Sequence, residues 1–534
     1  MHRCLHLLEI VSLICQRIEK SSLPSFARVC KAFSDSALDV LWRHQDSLFN
    51  LLRCMPDGIW NEATDEEEDE ENWSLNRPVL PSDWQRPLAY SRRVKWFTYD
   101  ERKRPGRPLS FDFFESFRLC LPWKHLFPNI QTLTFNSCNE WSFQFMRIFL
   151  GPRLNRLTLG KPQSAAHLSL LPNIAMECPL LKTLEIQFFS KDKLDAKFSI
   201  SALVVGLGRL ESLSVPCLDN IVLEHVAQLP SLTSLTLQKQ TALKSFPPSV
   251  SSNAILFPSL RSIDITAADN VDAIIPLLVL MAHAPMNDLT IDIPDKVPAK
   301  RIAALYSAIA RYCPHSSLKD IMCGRGFGGS ITIASSADTA TYLMTGAQIL
   351  PLTSLTNLTE VCLTPPLGFD LDDAIVADLA QAWPHLIHLG LFSTCYANYP
   401  SRVTLRGLLP LAQHCPHLRS LTLPLDATSE TRWHQKLQSE SNGEEPARRI
   451  QQISLGSLNV MHSPIGDSFL VAGFLSSVFP KLKVIYTDHV FHPFGEERAD
   501  LTEVIALDEK WKAVEGVLPL LRRARGEERA WTCQ

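Results

Sequence analysis

The stretch CPHLRSLTL, residues 415–423, places leucines at 418, 421 and 423 directly after a Cys-Pro step. The same Pro-x-Leu-x-x-Leu-x-Leu template recurs as FPNIQTLTF from 127, GPRLNRLTL from 151 and LPSLTSLTL from 229, together with weaker copies. Thirteen copies can be aligned, and their central apolar residues lie 22 to 40 residues apart. These central residues are Leu133, Leu157, Leu184, Leu213, Leu235, Ile263, Leu289, Ile321, Val361, Leu389, Leu421, Ile453 and Ile485. One template at near-regular spacing indicates an internal repeat.

Each copy predicts a strand followed, before the next copy, by a helix. Leu-x-Leu is a period-two fragment that places its leucines on one face of a strand. Helix-like stretches such as 169–177 and 406–414 lie between copies, and the proline ends the helix before the next strand. Such units bury their apolar faces only when they stack. We therefore predict an α/β leucine-rich-repeat solenoid, a curved parallel sheet with outer helices.

Length and composition limit the classes of protein. The chain has 534 residues, 46% hydrophobic and 20% charged, with a net charge of -4, which argues against a general nucleic-acid binder. The longest apolar run, about ten residues from 273 to 282, is too short for a membrane span. The first twenty residues lack a secretory signal pattern, so we expect a cytoplasmic or nuclear protein.

The fourteen cysteines include no C-x-x-C pair, and Cys178, Cys313 and Cys415 each precede a proline. We expect them to be small buried hydrophobes rather than zinc ligands or disulfides.

Residues 5–42 predict three short helices. Leu7, Ile10, Ile14 and Ile18 have helical spacing in the first, and Ser21 or Ser22 can cap the second. The second carries an apolar stripe that ends at Phe33, and the third carries Leu38, Leu41 and Trp42.

This N-terminal stretch resembles an F-box. The resemblance is carried by Glu9-Ile10, Ser22-Leu23, the run 27–33 (ARVCKAF) and Leu41-Trp42, although Leu7-Leu8 stands where the family usually has a proline. Segments 41–60 and 77–97 are similar to those of fungal F-box proteins with leucine-rich repeats.

The resemblance implies docking to a Skp-family adaptor and, through it, to a cullin ubiquitin ligase, while the repeats hold a protein substrate. The adaptor-facing residues that it implies are Leu7, Leu8, Ile10, Leu13, Ile14, Leu23, Phe26, Val29, Cys30 and Phe33. The residues alone also allow the three helices to pack on the repeats as a cap. A helix-turn-helix DNA reader is disfavoured because seven Lys/Arg and six Asp/Glu nearly balance in residues 1–60.

Four regions are predicted: an F-box-like domain at 1–50, a linker and cap region at 51–120, the repeats at 121–495, and a C-terminal cap helix and tail at 496–534. The acidic run 65–71 (DEEEDEE) predicts a solvated loop in the linker. The basic run 102–108 and the polar stretch 427–449 predict further surface loops. In the last region, Trp511, Val514, Val517 and Leu521 have helical spacing.

Motifs for catalysis or cofactors are weak or missing. Gly324, Gly326 and Gly329 have G-x-G-x-x-G spacing, but a strand-like run follows them, whereas a dinucleotide site needs a helix there. We find no phosphate loop, nucleophile elbow or H-E-x-x-H motif. We expect a non-catalytic protein with no cofactor and no metal.

The strand face predicts what the repeats could bind. Three positions beside the core residues of each copy should be exposed, because side chains alternate along a strand. Arg156 is the basic residue at these positions, and seven are acidic: Glu185, Asp264, Asp288, Asp292, Asp320, Glu360 and Asp488. Two interpretations remain open: the face binds a basic protein surface, or the acids only keep it soluble.

The sequence therefore predicts a substrate-recognition subunit of a Skp–cullin–F-box ubiquitin ligase. The alternative is a repeat scaffold that binds proteins without any ligase.

Overall fold

The computed structural model divides the chain into two compact units, residues 1–238 and 239–534. The structure describes residues 7–61, 74–100, 111–136, 140–160, 162, 164–187, 196–216, 218–240, 256–267, 271–294, 297–324, 336–393, 401–428, 450–461, 463–487 and 501–532.

The first unit begins with three helices, α1 (Leu8–Arg17), α2 (Leu23–Ala27) and α3 (Lys31–Arg43). They enclose a small core of Val11, Cys15, Leu23, Phe33 and Ala37. On α1 the buried residues are Val11 and Cys15, and Ile18, one of the four residues with helical spacing, packs against the same core. Both sides of this helix are apolar, so spacing alone did not identify the inner one.

Parallel strands follow in chain order. They are β1 (His44–Gln45), β4 (Trp96–Asp100), β5 (Thr132–Asn136), β6 (Arg156–Leu159), β7 (Thr183–Ile186), β8 (Ser212–Val215) and β9 (Ser234–Gln240). A separate antiparallel pair is formed by β2 (Trp60–Asn61) and β3 (Ser74–Leu75).

The helices of this unit lie between the strands in sequence. They are α4 (Phe49–Leu52), α5 (Gln85–Ser91), α6 (Phe111–Cys120), α7 (Glu140–Phe143), α8 (Ala165–Glu177), α9 (Lys197–Val205) and α10 (Asn220–Ala227). Helix α9 packs against both α8 and α10. Polar side chains cap two of them, since Ser164 and Asp219 accept hydrogen bonds from the backbone N–H groups of His167 and Val222.

The register confirms the repeat in the first unit. Phe97, Leu133, Leu157 and Leu184 are directly paired on successive strands and buried. Strand β4, which carries Phe97, precedes the first predicted copy and lies in the region predicted to be linker and cap. Its inward residues are aromatic, so a leucine template did not detect it.

The second unit repeats the arrangement. Its parallel strands are β10 (Ser262–Ala267), β11 (Asp288–Asp292), β12 (Asp320–Gly324), β14 (Glu360–Thr364), β16 (His388–Leu391), β17 (Ser420–Thr422), β18 (Ser457–Asn459) and β19 (Val484–Tyr486). A small parallel pair consists of β13 (Met344–Thr345) and β15 (Phe369–Asp370). The helices are α11 (Ile275–Leu280), α12 (Ala299–Tyr312), α13 (Ser336–Tyr342), α14 (Asp373–Ala382), α15 (Leu408–His414), α16 (Ser468–Val478) and α17 (Leu501–Thr532).

One predicted copy was out of register. Ile453 was expected in the core, but 57% of its surface is exposed. Leu458 takes the core position instead, paired with Leu421 on β17 and with Ile485 on β19. The buried Gln452 explains the shift, because its side chain occupies the turn before the strand.

Three cysteines end helices as small buried hydrophobes, as predicted. Cys178, Cys313 and Cys415 are the C-terminal caps of α8, α12 and α15, and all three are buried. Burial raises the thiol pKa of Cys178 to about 11 and that of Cys313 and Cys415 to about 12. These thiols therefore stay protonated at neutral pH.

The long helix α17 packs against α16 and β19 of the second unit. Trp511, Val514 and Leu518 are buried, and the Trp511 Nε1–H donates a 2.9 Å hydrogen bond to the carbonyl oxygen of Ser463. Val517 and Leu521, predicted on the same stripe, are half-buried.

These elements form an α/β repeat fold, in which parallel strands alternate with helices, as the sequence predicted. A search of the described helices finds none that combines the length and the apolar character needed to cross a membrane.

Candidate interaction surfaces

The N-terminal helices expose several apolar side chains at the start of α1, along it and just after α2. Leu8 and Leu13 are 64% and 61% exposed. Leu7, Ile14 and Val29 are exposed as well, while Ile10, Phe26 and Cys30 are half-buried. We call Leu7, Leu8, Leu13, Ile14 and Val29 the apolar row. Such a cluster on a small helical module is typical of a protein-binding surface.

Two of the expected adaptor-facing residues do not belong to this surface. Leu23 and Phe33 are buried in the core of the three helices. The ring of Phe26 stacks on that of Phe33, with 4.8 Å between ring centroids. The structure therefore removes Leu23 and Phe33 from the candidate adaptor surface, because they hold the module together instead.

The helical module is fixed to the first strands of its unit. Arg93 donates a 2.7 Å hydrogen bond to the carboxylate of Asp35 and a second, short one to Asp39, both on α3. Trp42 stacks on Tyr90 with 4.6 Å between centroids, and β1 pairs with β4 directly after α3. Helix α3 is therefore the attached side of the module, and the apolar row at α1 and just after α2 stays accessible.

The strand face of the first unit is rich in hydroxyl groups. The positions flanking the core residues on β5 to β9 include Thr132, Thr134, Thr158, Thr183, Ser212, Ser214, Ser234 and Thr236. Arg156 and Glu185 are the charged residues among these positions on the described strands. Glu185 accepts hydrogen bonds from Thr158 Oγ1 at 3.3 Å and from Gln187 Nε2 at 3.2 Å, so its carboxylate is engaged within its own unit.

The strand face of the second unit brings several predicted acids into one line. Asp288, Asp320 and Glu360 are directly paired on β11, β12 and β14, and His388 follows on β16. Asp264 lies on β10, one strand before Asp288. Adjacent strands are about 4.8 Å apart, so these carboxylates are close neighbours.

The electrostatics of this line follow from that crowding. Burial raises the pKa of Asp288, and a hydrogen bond with Asp320 and the charges of Asp320 and Glu360 raise it further, against an opposing effect of Lys319. Thr359 Oγ1 donates a 2.6 Å hydrogen bond to Asp320. His388 Nε2 lies 3.9 Å from a carboxylate oxygen of Glu360.

The remaining predicted acids have separate positions. Burial, and then the charge of Asp292, raise the pKa of Asp264. Asp292 ends strand β11. Asp488 lies outside the described residues, as do Gly326 and Gly329 of the glycine pattern.

A shallow depression of about 410 Å³ opens on this face across β11 to β17. Asp288, Asp320 and Glu360 lie along it together with Met322 and Phe392. The side chain of Met322, 54% exposed, was not singled out from the sequence, although it occupies a predicted face position next to Ile321. A census of large apolar residues at face positions would have found it.

Among the described residues, no group of three His, Cys, Asp or Glu side chains is arranged to hold a metal ion.

Comparisons with known proteins give distant structural similarity. No protein family model matches the chain, and no curated protein matches it in sequence. The yeast Rad7–Elc1 complex structure aligns with a TM-score of 0.31 at 14% identity, covering 93% of this chain and 92% of that chain. The Drosophila Toll–Spatzle complex aligns with a TM-score of 0.33 at 13% identity, covering 78% of this chain and 54% of that chain. At these TM-scores the fold assignment rests on the strand and helix order described above.

Proposed function

We propose that this chain is the substrate-recognition subunit of a Skp–cullin–F-box ubiquitin ligase. Helices α1–α3 dock a Skp-family adaptor, and the repeats bind a protein substrate. The chain itself is non-catalytic in this proposal and brings the substrate to the ligase.

The observation that carries the proposal is the apolar row beside a complete internal core. Burying one exposed leucine on a partner is worth about 1.5–3 kcal/mol, so five apolar side chains can support a specific complex. A cap that packs on the repeats would bury these side chains, whereas they are exposed and α3 makes the attachment. Because residues 9–42 resemble an F-box, we infer that the partner of this row is a Skp-family adaptor.

The test is a titration of the purified full-length chain with a purified Skp-family adaptor, by calorimetry. Replacing Leu8 and Leu13 with aspartate should weaken binding at least about 100-fold, because both residues would meet the adaptor core. Both side chains are exposed, so the fold should persist, which circular dichroism checks.

A matched control replaces Phe198 and Ile221, exposed apolar residues on α9 and α10 of the same unit, with aspartate. This control should bind as the wild type does. Equal binding by the Leu8/Leu13 variant would overturn the assignment of the surface. No binding by the wild type would favour the alternative, a repeat scaffold that binds proteins without a ligase.

A further inference from the structure

The two units present chemically different strand faces. In the first unit, the two face positions beside the core residues of β5 to β9 carry hydroxyl groups except at Arg156 and Glu185. In the second unit, acids occupy these positions on four adjacent strands, β10, β11, β12 and β14. On β16 to β19 the equivalent described positions carry no acid. Negative charge is therefore concentrated in one part of the face, which even spacing for solubility would not produce.

This part of the face is open in its own unit. The side chain of Glu360 is 57% exposed and that of His388 is 48% exposed. Met322 projects between the acids and is exposed as well. Phe392, 8% exposed, also lines the depression of about 410 Å³. An accessible groove that combines carboxylates with apolar side chains fits a peptide with both charged and apolar residues.

The row costs stability in the free protein. Like charges directly opposite each other on adjacent strands are destabilising, and Asp288, Asp320 and Glu360 form such a series. The hydrogen bond from Thr359 to Asp320 and the charge of Lys319 oppose this repulsion. A ligand cation would relieve the repulsion, so binding energy is available here.

We propose that this face binds an extended segment of a partner protein that carries two or three Lys or Arg residues and one apolar residue. The basic side chains pair with Asp288, Asp320 and Glu360, and the apolar one contacts Met322 and Phe392. This inference deepens the proposed function by naming the class of substrate. That the bound partner is a ligase substrate rests on the proposed function.

The geometry sets the spacing of the segment. Two strand steps separate Asp288 from Glu360, which is about 10 Å at a strand spacing of about 4.8 Å. An extended chain rises about 3.3 Å per residue, so cationic residues about three positions apart span the row. Nucleic acid would be repelled by the same carboxylates.

The experiment uses a fluorescently labelled twelve-residue peptide in which lysines three positions apart flank one leucine. Anisotropy is measured with the full-length chain and no adaptor. We expect binding that weakens with added salt, and at least about a tenfold loss on replacing Asp288 and Asp320 with asparagine. The same peptide with glutamine in place of lysine should not bind.

A matched control replaces Asp378 on α14 with asparagine and Glu509 on α17 with glutamine, exposed acids away from the face. It changes net charge equally and should leave the peptide affinity unchanged. Equal weakening by both variants would overturn the proposal, since net charge alone would then explain binding. No binding by the wild type, or binding of calcium ions or an RNA oligonucleotide but not of the peptide, would overturn it as well.

A separate adaptor titration with the Asp288/Asp320 variant distinguishes the two proposals. We expect its adaptor affinity to equal that of the wild type. Loss of peptide binding with intact adaptor binding supports the inference. Peptide binding by a wild type that binds no adaptor would contradict the ligase role and leave this inference standing.

Discussion

The side-chain amide of Gln452 donates a 2.7 Å hydrogen bond from Nε2 to the carbonyl oxygen of Leu418, in the repeat before its own. The same nitrogen lies 3.3 Å from the carbonyl oxygen of Cys415, and Oε1 accepts a 2.8 Å bond from the backbone N–H of Leu455. Gln452 is buried, so water cannot replace these bonds. One amide thus joins the turns of two successive repeats.

Replacing Gln452 with leucine should destabilise the second unit by roughly 2–3 kcal/mol, because buried backbone groups would lose their partners. The midpoint of urea unfolding measures this loss. Gln381 on α14 is exposed, and its replacement with leucine should change stability by less than about 0.5 kcal/mol. Equal effects of the two substitutions would contradict the role assigned to Gln452.

The register of the same repeat gives a second prediction. Leu458 is buried and paired with Leu421, whereas Ile453 is exposed. Leu458→Ala should cost about 2–5 kcal/mol, and Ile453→Ala less than about 1 kcal/mol. Thermal unfolding of the two variants compares them directly. The opposite order would restore the register that the sequence pattern predicted.

The repeat that contains Gln452 shows why the sequence pattern predicted the register of some copies and not of others. Copies such as 415–423 were predicted because a proline, a turn and alternating leucines all agree, and Leu421 is indeed in the core. The sequence of the copy around Gln452 keeps the apolar spacing of the template. In the structure, however, the buried Gln452 side chain holds the turn before the strand, and a hydrophobic template cannot recognise a glutamine in that role. Strand β4 was missed for a related reason, since Phe97 and Tyr99 replace the leucines.

The candidate surfaces were predictable to different degrees. Alternation along a strand placed Asp288, Asp320 and Glu360 on one face correctly, but their alignment into one row depends on the pairing of strands far apart in sequence. In the N-terminal helices both sides of α1 are apolar, so the sequence could not tell the core side of Val11 and Cys15 from the exposed side of Leu13.

Gly324 gives a third prediction, because it is paired with Thr364 on the neighbouring strand and leaves no room for a side chain. A Cβ added there would lie 1.9 Å from Thr364 Oγ1 and 2.5 Å from the Thr364 carbonyl oxygen. Gly324→Ala should therefore destabilise the second unit by at least about 1–3 kcal/mol, since backbone must move. Gly473, inside α16, has no atom within 4 Å of its added Cβ, and Gly473→Ala should stabilise the helix by about 0.5–1 kcal/mol. Calorimetric melting temperatures that shift the same way in both variants would contradict this account.

The raised pKa of Asp288 gives a dependence on pH. Burial, the hydrogen bond with Asp320 and the neighbouring charges make the folded state hold this proton more tightly than the unfolded state does. The contribution of Asp288 to the stability of the fold is therefore fully present below pH 3.8, the ordinary pKa of an aspartate. It is lost as the pH rises through the raised pKa of Asp288 in the folded state. Asp288→Asn removes the contribution.

The free energy of unfolding of the wild type minus that of Asp288→Asn should accordingly fall as the pH rises above 3.8. Urea unfolding at several pH values measures the difference. A difference that rises with pH would contradict this account, because it would show that the folded state stabilises the Asp288 carboxylate rather than its protonated form.

The most direct test of the central claim is hydrogen–deuterium exchange of the full-length chain with and without a purified Skp-family adaptor. Docking on the apolar row should slow exchange in α1, Leu8–Arg17, by at least about tenfold, and leave strands β10 to β14 unchanged. Unchanged exchange in α1 at saturating adaptor, or protection confined to the strand face of the second unit, would contradict it.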